Sequence, residues 1–377
     1  MDAKKSFLDL EKIESELLKY GVEDVDSEIE KIEKQVKSTL NSYKEKNKIA
    51  REQYKNAVPF SEVYESAVSL NLPAWVLKKI DSARIFGDSK QMIIFPDGEK
   101  YQINNPLNNL SGGDWLNFTT SVFSTFYTTN GKDSYAHDIR KIHPSPKPPQ
   151  LMKEIIEFFT KENELVFDYF MGVGGSLLGA GLCNRKAIGI DLNEKYIEAY
   201  KNAAKEIGVD IFSTKCGDCL EILNNEKEMN SLLRDEKISL VLIDPPYANM
   251  MSKEKTGGDI AVYGNKATPF TNDERDFGNL NQTVFFDSLK QSVELVFPYI
   301  KKHGYIVIFI KDLQPNKKEL NLLHADIIEK LNEIPNLNYK GLRIWADNSA
   351  KLFPYGYPFS FVANQIHQYI LVFRKEK

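Results

Sequence analysis

The chain has 377 residues, enough for two or three domains, and its 42% hydrophobic and 11% aromatic content can bury a sizeable core. Its 49 basic and 53 acidic residues leave a formal net charge of −4, which excludes a strongly basic coat for nucleic acid but not a local basic groove. Three cysteines are too few for a disulfide framework, no apolar run is long enough for a membrane span, and the charged N-terminus lacks a signal peptide's apolar core, so an intracellular, cytoplasmic protein is expected.

From Ser6 to Val58 the chain is rich in Glu, Lys, Leu and Ile and nearly free of Gly and Pro. Apolar residues recur at helical spacing (Leu8, Ile13, Leu17, Leu18, then Ile29, Ile32, Val36, Leu40), which predicts one or two amphipathic helices. Residues 1–58 therefore read as a helical arm that packs on the body, self-associates or meets a partner subunit. Its balanced charges offer little attraction to phosphates. Residues 59–104 read as a mixed connecting region, and 105–377 as the main domain.

A strand–helix rhythm begins at Leu151. Helix Leu151–Thr160 leads to strand Leu165–Phe170, a Gly-rich turn and helix Gly175–Cys183. Strand Lys186–Leu192 precedes helix Glu194–Ile207. Strands recur at Ile211–Cys216, Leu240–Asp244 and Tyr305–Lys311, with helices Phe286–Lys301 and Leu322–Asn332 between the later ones. Two runs, Leu342–Trp345 and Tyr369–Phe373, close the chain. Alternating β and α elements with β-branched strands predict an α/β fold with a mostly parallel seven-stranded sheet covered on both faces, the last two strands forming an antiparallel edge hairpin.

The segment Phe167-Asp168-Tyr169-Phe170-Met171-Gly172-Val173-Gly174-Gly175-Ser176 lies where strand turns into helix, and its glycines let backbone approach a ligand. Asp191 ends the next strand, where a carboxylate can accept both ribose hydroxyls of an adenosine. Asp218 follows the third strand and can reach an adenine edge. Each acid alone could be a helix cap; together they favour an adenosyl ligand. A dinucleotide is the alternative, weakened because Leu177 stands where its third glycine belongs.

Asp244-Pro245-Pro246-Tyr247 directly follows the apolar run Leu240–Ile243. The amino nitrogen of adenine or cytosine is a poor nucleophile, because its lone pair is delocalised into the ring. A catalyst needs acceptors for the amino hydrogens, here the Asp244 carboxylate and a proline carbonyl. Paired prolines withhold N–H donors and stiffen the loop, and Tyr247 offers an aromatic face to an extruded base. Cys216-Gly217-Asp218-Cys219 has Cys-x-x-Cys spacing, but with Cys183 the only other cysteine a four-thiolate zinc site cannot form within the chain, and no metal is expected.

From roughly Asn105 onward the chain resembles the DNA amino-methyltransferase family, which modifies adenine N6 or cytosine N4. The resemblance rests on Asp244–Tyr247, on Phe170, Gly172 and Gly174, and on His143-Pro144-Ser145-Pro146-Lys147-Pro148, which is similar to the family's His-Pro-x-x-Lys-Pro segment. The stretch Leu107–Phe123 and the tail Lys351–Arg374 are also similar. The resemblance implies a class I methyltransferase fold and S-adenosyl-L-methionine as donor. It further implies that His143, Pro144, Lys147, Asp168, Tyr169 and the Phe170–Gly174 turn lie at the cofactor's methionine end, Asp191 and Leu192 at the ribose, and Asp218 and Cys219 at the adenine. Asp244, Pro245, Pro246 and Tyr247 are then catalytic, and the partner is double-stranded DNA with a flipped base, adenine N6 preferred to cytosine N4. An RNA base methyltransferase and a catalytically silent regulatory subunit are the rival readings. Tyr169 departs from the proline usual after the turn's aspartate, and no separate recognition domain stands between the motifs. The 248–282 connection, with Met250, Met251, Lys253, Lys255 and Tyr263, is therefore expected to be a mobile loop that helps clamp DNA or closes over the flipped base.

Overall fold

The computed structural model describes residues 10–19, 22–248, 270–315 and 320–377. The expectation for residues 249–269, including the lysines and methionines of the DNA-clamping loop, lies outside the described residues. The chain divides into two compact units, residues 1–104 with 111–113, and residues 105–110 with 114–377.

The first unit opens with helices Leu10–Lys19 and Val25–Lys55. Asp24 caps the longer one, its carboxylate accepting from the Ser27 N–H at 3.1 Å. At the other end the Arg84 guanidinium donates to the carbonyls of Tyr54, Lys55 and Ala57, a cation where the helix dipole is negative. Strands β1 (Val58–Pro59), β2 (Arg84–Phe86), β3 (Met92–Ile94) and β4 (Lys100–Gln102) form a small antiparallel sheet in that order. Phe60, Val76, Ile85, Ile93, Phe95 and Tyr101 make its core, closed by Trp75 against Phe95 and Tyr101.

The second unit is built on an eight-stranded sheet. Its strands are β5 (Val122–Thr125), β6 (Leu165–Asp168), β7 (Lys186–Asp191), β8 (Ser213–Cys216), β9 (Ile238–Ile243), β10 (Ile300–Ile310), β11 (Leu337–Asp347) and β12 (His367–Lys375). Their order is β5-β11-β12-β10-β9-β6-β7-β8. Neighbours from β10 to β8 are parallel, β12 is antiparallel to both β10 and β11, and β5 is parallel to β11. Helices Pro149–Phe159, Gly175–Gly181 and Glu194–Ile207 cover one face, where Leu240, Leu242, Val307 and Phe309 point. Helices Cys219–Asn224, Gln282–Val296 and Leu323–Leu331 cover the other, with Val241, Ile243, Ile306 and Ile308. Two-sided burial explains why β9 reads as an unbroken apolar run. Each fully buried Leu or Ile in it contributes about 1.5–3 kcal/mol.

All seven expected strands are present, and β5 is an additional eighth. At four residues, with Val122 and Ser124 exposed, it carries too little apolar pattern to read as a strand. The expected edge hairpin is corrected on position: β12 lies inside the sheet and β5 takes the edge. Four consecutive buried residues, Ile370–Phe373, mark β12 as covered on both faces, which an edge strand rarely is. Among the described residues no helix is long and apolar enough to cross a membrane.

Candidate active site

The parallel strands β6, β7, β8 and β9 end at one edge of the sheet, and each delivers an aspartate there: Asp168, Asp191, Asp218 and Asp244. Open α/β sheets bind ligands in the crevice outside these carboxyl ends.

Asp168 closes the β6 turn from within. It is 3% exposed, accepts from the Phe170 N–H at 2.9 Å and is hydrogen-bonded to the Ser176 hydroxyl. Burial pushes its pKa up to about 7. The turn then passes through Gly172 and Gly174 at φ of +50° and +75°. A Cβ at Gly174 would sit 2.2 Å from the Tyr200 ring, so this position excludes any side chain. The Gly172 N–H donates to Asp191 Oδ2 at 2.7 Å, and the Asn193 N–H to Asp191 Oδ1 at 2.8 Å. Burial raises the Asp191 carboxyl to about 6 despite these donors. Asp218 caps helix Cys219–Asn224 through the Leu220 N–H at 2.8 Å.

A cavity along this edge is lined by His143, Ser145, Tyr169, Phe170, Asp191, Leu192, Tyr196, Gly217, Asp218, Cys219, all four residues of Asp244–Tyr247, and Phe270, Thr271, Arg275, Asp276 and Phe277. Pro144, Lys147, Asp168, Gly172 and Gly174 do not line it; they shape its walls or lie behind them. His143 stacks on Phe270 at 5.1 Å and meets Tyr196 edge-on at 4.9 Å. Its Nδ1 accepts from the Ser145 N–H at 3.1 Å, and burial beside Lys147 lowers its pKa to about 4, so the ring is neutral with Nε2 carrying the proton.

Asp244 is held by two side-chain donors. The Lys147 ammonium donates to its Oδ2 at 2.6 Å, and the Tyr247 hydroxyl to its Oδ1 at 2.9 Å. Tyr247 is 9% exposed, its phenol pushed well up by burial and by Asp244. The Pro246 carbonyl accepts from the Ala248 N–H at 3.0 Å, and among the described residues no donor meets the Pro245 carbonyl.

Phe270, Thr271, Arg275, Asp276 and Phe277 belong to the 248–282 connection, which the sequence assigns to the target and not to the lining of this cavity. Their segment carries a local signal: the Asp276 carboxylate accepts from the Gly278 N–H at 2.8 Å and from the Thr271 hydroxyl at 2.8 Å, a turn spelled by Thr, Asp and Gly. Cys216 is exposed and Cys219 buried, its thiol pushed upward by burial. Among the described residues no His, Cys, Asp or Glu group could hold a metal ion.

An aromatic slot rimmed by desolvated carboxylates fits an adenosyl group: the rings of Phe170, Phe270 and Phe277 offer flat apolar surface. The buried Asp191 carboxylate suits hydroxyl donors.

Residues 20–202 match the DNA methylase family model for N6 and N4 methyltransferases. The chain is 39% identical over 67 residues to the Type II methyltransferase M.HpaI of Haemophilus parainfluenzae, covering 18% of this chain and 21% of that protein. It is 30% identical over 104 residues to a tRNA (guanine(10)-N2)-dimethyltransferase of Pyrococcus abyssi, covering 28% and 29%. The matched segments span between about a fifth and a half of the length of such relatives. Among solved structures, SMU.1697c of Streptococcus mutans, a putative methyltransferase in complex with SAH, is similar at 10% identity and a TM-score of 0.36, over 60% of this chain and 98% of that one. With the Gly-rich turn, the four acids and the family match in place, the chain is similar over just under half of its length to the DNA amino-methyltransferase family, whose methyl donor is S-adenosyl-L-methionine.

Proposed function

We propose that this chain methylates the exocyclic amino group of a flipped base in DNA, adenine N6 before cytosine N4. The observation that carries the reading is the Asp244 carboxylate held by two donors at the cavity wall, next to a proline carbonyl that no donor among the described residues meets. When bound, S-adenosyl-L-methionine supplies a methyl group on a positively charged sulfur that leaves neutral. Asp191 and Asp218 are the residues to hold its ribose and adenine, with His143 and Phe170 toward its other end.

Asp244 and the Pro245 carbonyl accept the two amino hydrogens and so favour the pyramidal nitrogen, whose lone pair is free to attack. As the nitrogen–carbon bond forms, the sulfur keeps the electrons of the bond that breaks. The surplus proton on nitrogen then passes to the Asp244 carboxylate and on to water. Catalysis is positioning plus electrostatics, with no covalent enzyme intermediate.

The tRNA methyltransferases among the relatives support a second reading, an amino group of a base in RNA. Tritiated S-adenosyl-L-methionine offered with unmethylated double-stranded DNA or with unmodified tRNA separates the two. Digestion and mass spectrometry then identify the base. N6-methyladenine in DNA is the expected product; label in tRNA alone would overturn the DNA reading.

A further inference from the structure

The family resemblance assigns Lys147 to the cofactor, yet Lys147 does not line the cavity that would hold one, and its ammonium sits on Asp244 and Tyr247. We infer that Lys147 is a positioning residue for Asp244, an ion-pair strut that sets the acceptor geometry of the reaction. This rests on the proposed function for its catalytic meaning.

Lys147 is 7% exposed, and its ammonium reaches Asp244 Oδ2 at 2.6 Å and the Tyr247 hydroxyl at 3.3 Å. It lies over the rings of Phe309 and Tyr247 at 5.3 and 5.9 Å, so its remaining surroundings are aromatic. The backbone that carries it is equally constrained. Arg140, 2% exposed, donates from Nη1 to the Lys147 carbonyl at 2.9 Å. A Cβ at Gly175 would lie 2.8 Å from that same carbonyl oxygen, so the helix after the Gly-rich turn packs directly on the lysine's backbone. Pro146 and Pro148 fix the chain on either side.

A buried ammonium against a half-buried carboxylate is seldom a net source of stability, because both ions lose water. What it supplies is direction. With Lys147 on Oδ2 and Tyr247 on Oδ1, the carboxylate plane is fixed from both sides, and only its remaining lone pairs can meet an amino hydrogen. Lys147 thus acts through Asp244 and touches neither donor nor base.

A double-mutant cycle on the full chain tests this. Lys147→Met keeps the length of the side chain and removes the charge; Asp244→Asn keeps an acceptor oxygen. Lys147→Met is expected to lower kcat by at least about tenfold while S-adenosylhomocysteine affinity by calorimetry stays within about threefold, and to add less than about twofold once Asn stands at 244. Lys147→Arg should recover part of kcat. Additive losses, or cofactor affinity that falls in step with kcat, would overturn the inference. Should Lys147→Met not fold, Lys147→Gln completes the same cycle. If the unaltered chain methylates neither DNA nor tRNA, the functional reading fails by itself. The pair is then judged by melting temperature across the four proteins, where both single variants should melt lower than the double variant, and additive melting shifts would refute the coupling.

Discussion

Ionisation of Asp191 should govern how tightly the cofactor is held. Its carboxyl is pushed up to about 6, first by burial and then by the nearby Asp276, although the Gly172 and Asn193 N–H groups pull it down. A carboxylate accepts two hydroxyl hydrogens where a neutral carboxyl accepts poorly, so binding is expected to draw on the ionised form. If only that form binds, the apparent Kd scales as one plus the ratio of protonated to ionised protein. One pH unit below the pKa this is about an elevenfold weakening, or ~1.4 kcal/mol, and two units above it the effect vanishes. Calorimetric titration with S-adenosylhomocysteine at pH 8 and pH 5 should show this tenfold loss. Asp191→Asn should bind more weakly at pH 8 and lose less than about threefold between the two conditions. Asp168 titrates in the same window, at about 7, and is unaltered in the variant, so the difference between the two proteins belongs to Asp191. A flat profile in the unaltered chain, or an equally steep one in Asp191→Asn, would refute the assignment.

Asp244→Ala should lower methyl transfer by ~30- to 1000-fold, equivalent to about 2–4 kcal/mol of barrier, with S-adenosylhomocysteine affinity nearly unchanged; single-turnover kinetics read it. Gly174→Ala should destabilise the fold by about 2–4 kcal/mol, because the new methyl meets the Tyr200 ring at 2.2 Å and the residue must keep φ of +75°; urea denaturation measures it. Asp168 holds its proton in the folded protein up to about pH 7 but loses it in the unfolded chain near pH 4, so this group makes stability fall as pH rises across that window. Asp168→Asn should remove that slope, on the order of a few kcal/mol over the interval, in urea midpoints taken at pH 4.5 and 7.5.

The parallel half of the sheet was legible because strands buried on two faces advertise themselves as apolar runs, and because β6, β7 and β9 lead into an aspartate. Leu240–Asp244 is such a case, and helix Glu194–Ile207, legible from its helical spacing, is closed by Gly208 at φ +72°. The four-stranded sheet of the first unit was not legible, since strands of two or three residues give no period to detect. The acids at the strand ends could be placed on one edge from topology alone. Which of their neighbours face the cavity could not: Lys147 and His143 are four residues apart, and only the folded segment shows that one turns to Asp244 and the other to Phe270. Sequence spacing carries no such information in a loop stiffened by prolines.

The reversal of β12 affects which loops stand over the chemistry. Because it runs against its neighbours, its beginning, His367, stands at the edge where β9 and β10 end, and β11 arrives there too at Asp347. The connection between them, residues 348–366, is thereby delivered to the side of the sheet where the four aspartates gather. Its base is pinned by Asn364, which brackets the Phe353 amide and carbonyl at 2.9 and 2.8 Å, while Tyr357, Phe359 and Phe361 stand 80–94% exposed. Such a loop can lengthen, shorten or exchange its tip at little entropic cost, with both feet anchored in strands that the core holds. A change of a dozen residues at the tip therefore leaves the register of every strand beneath it intact.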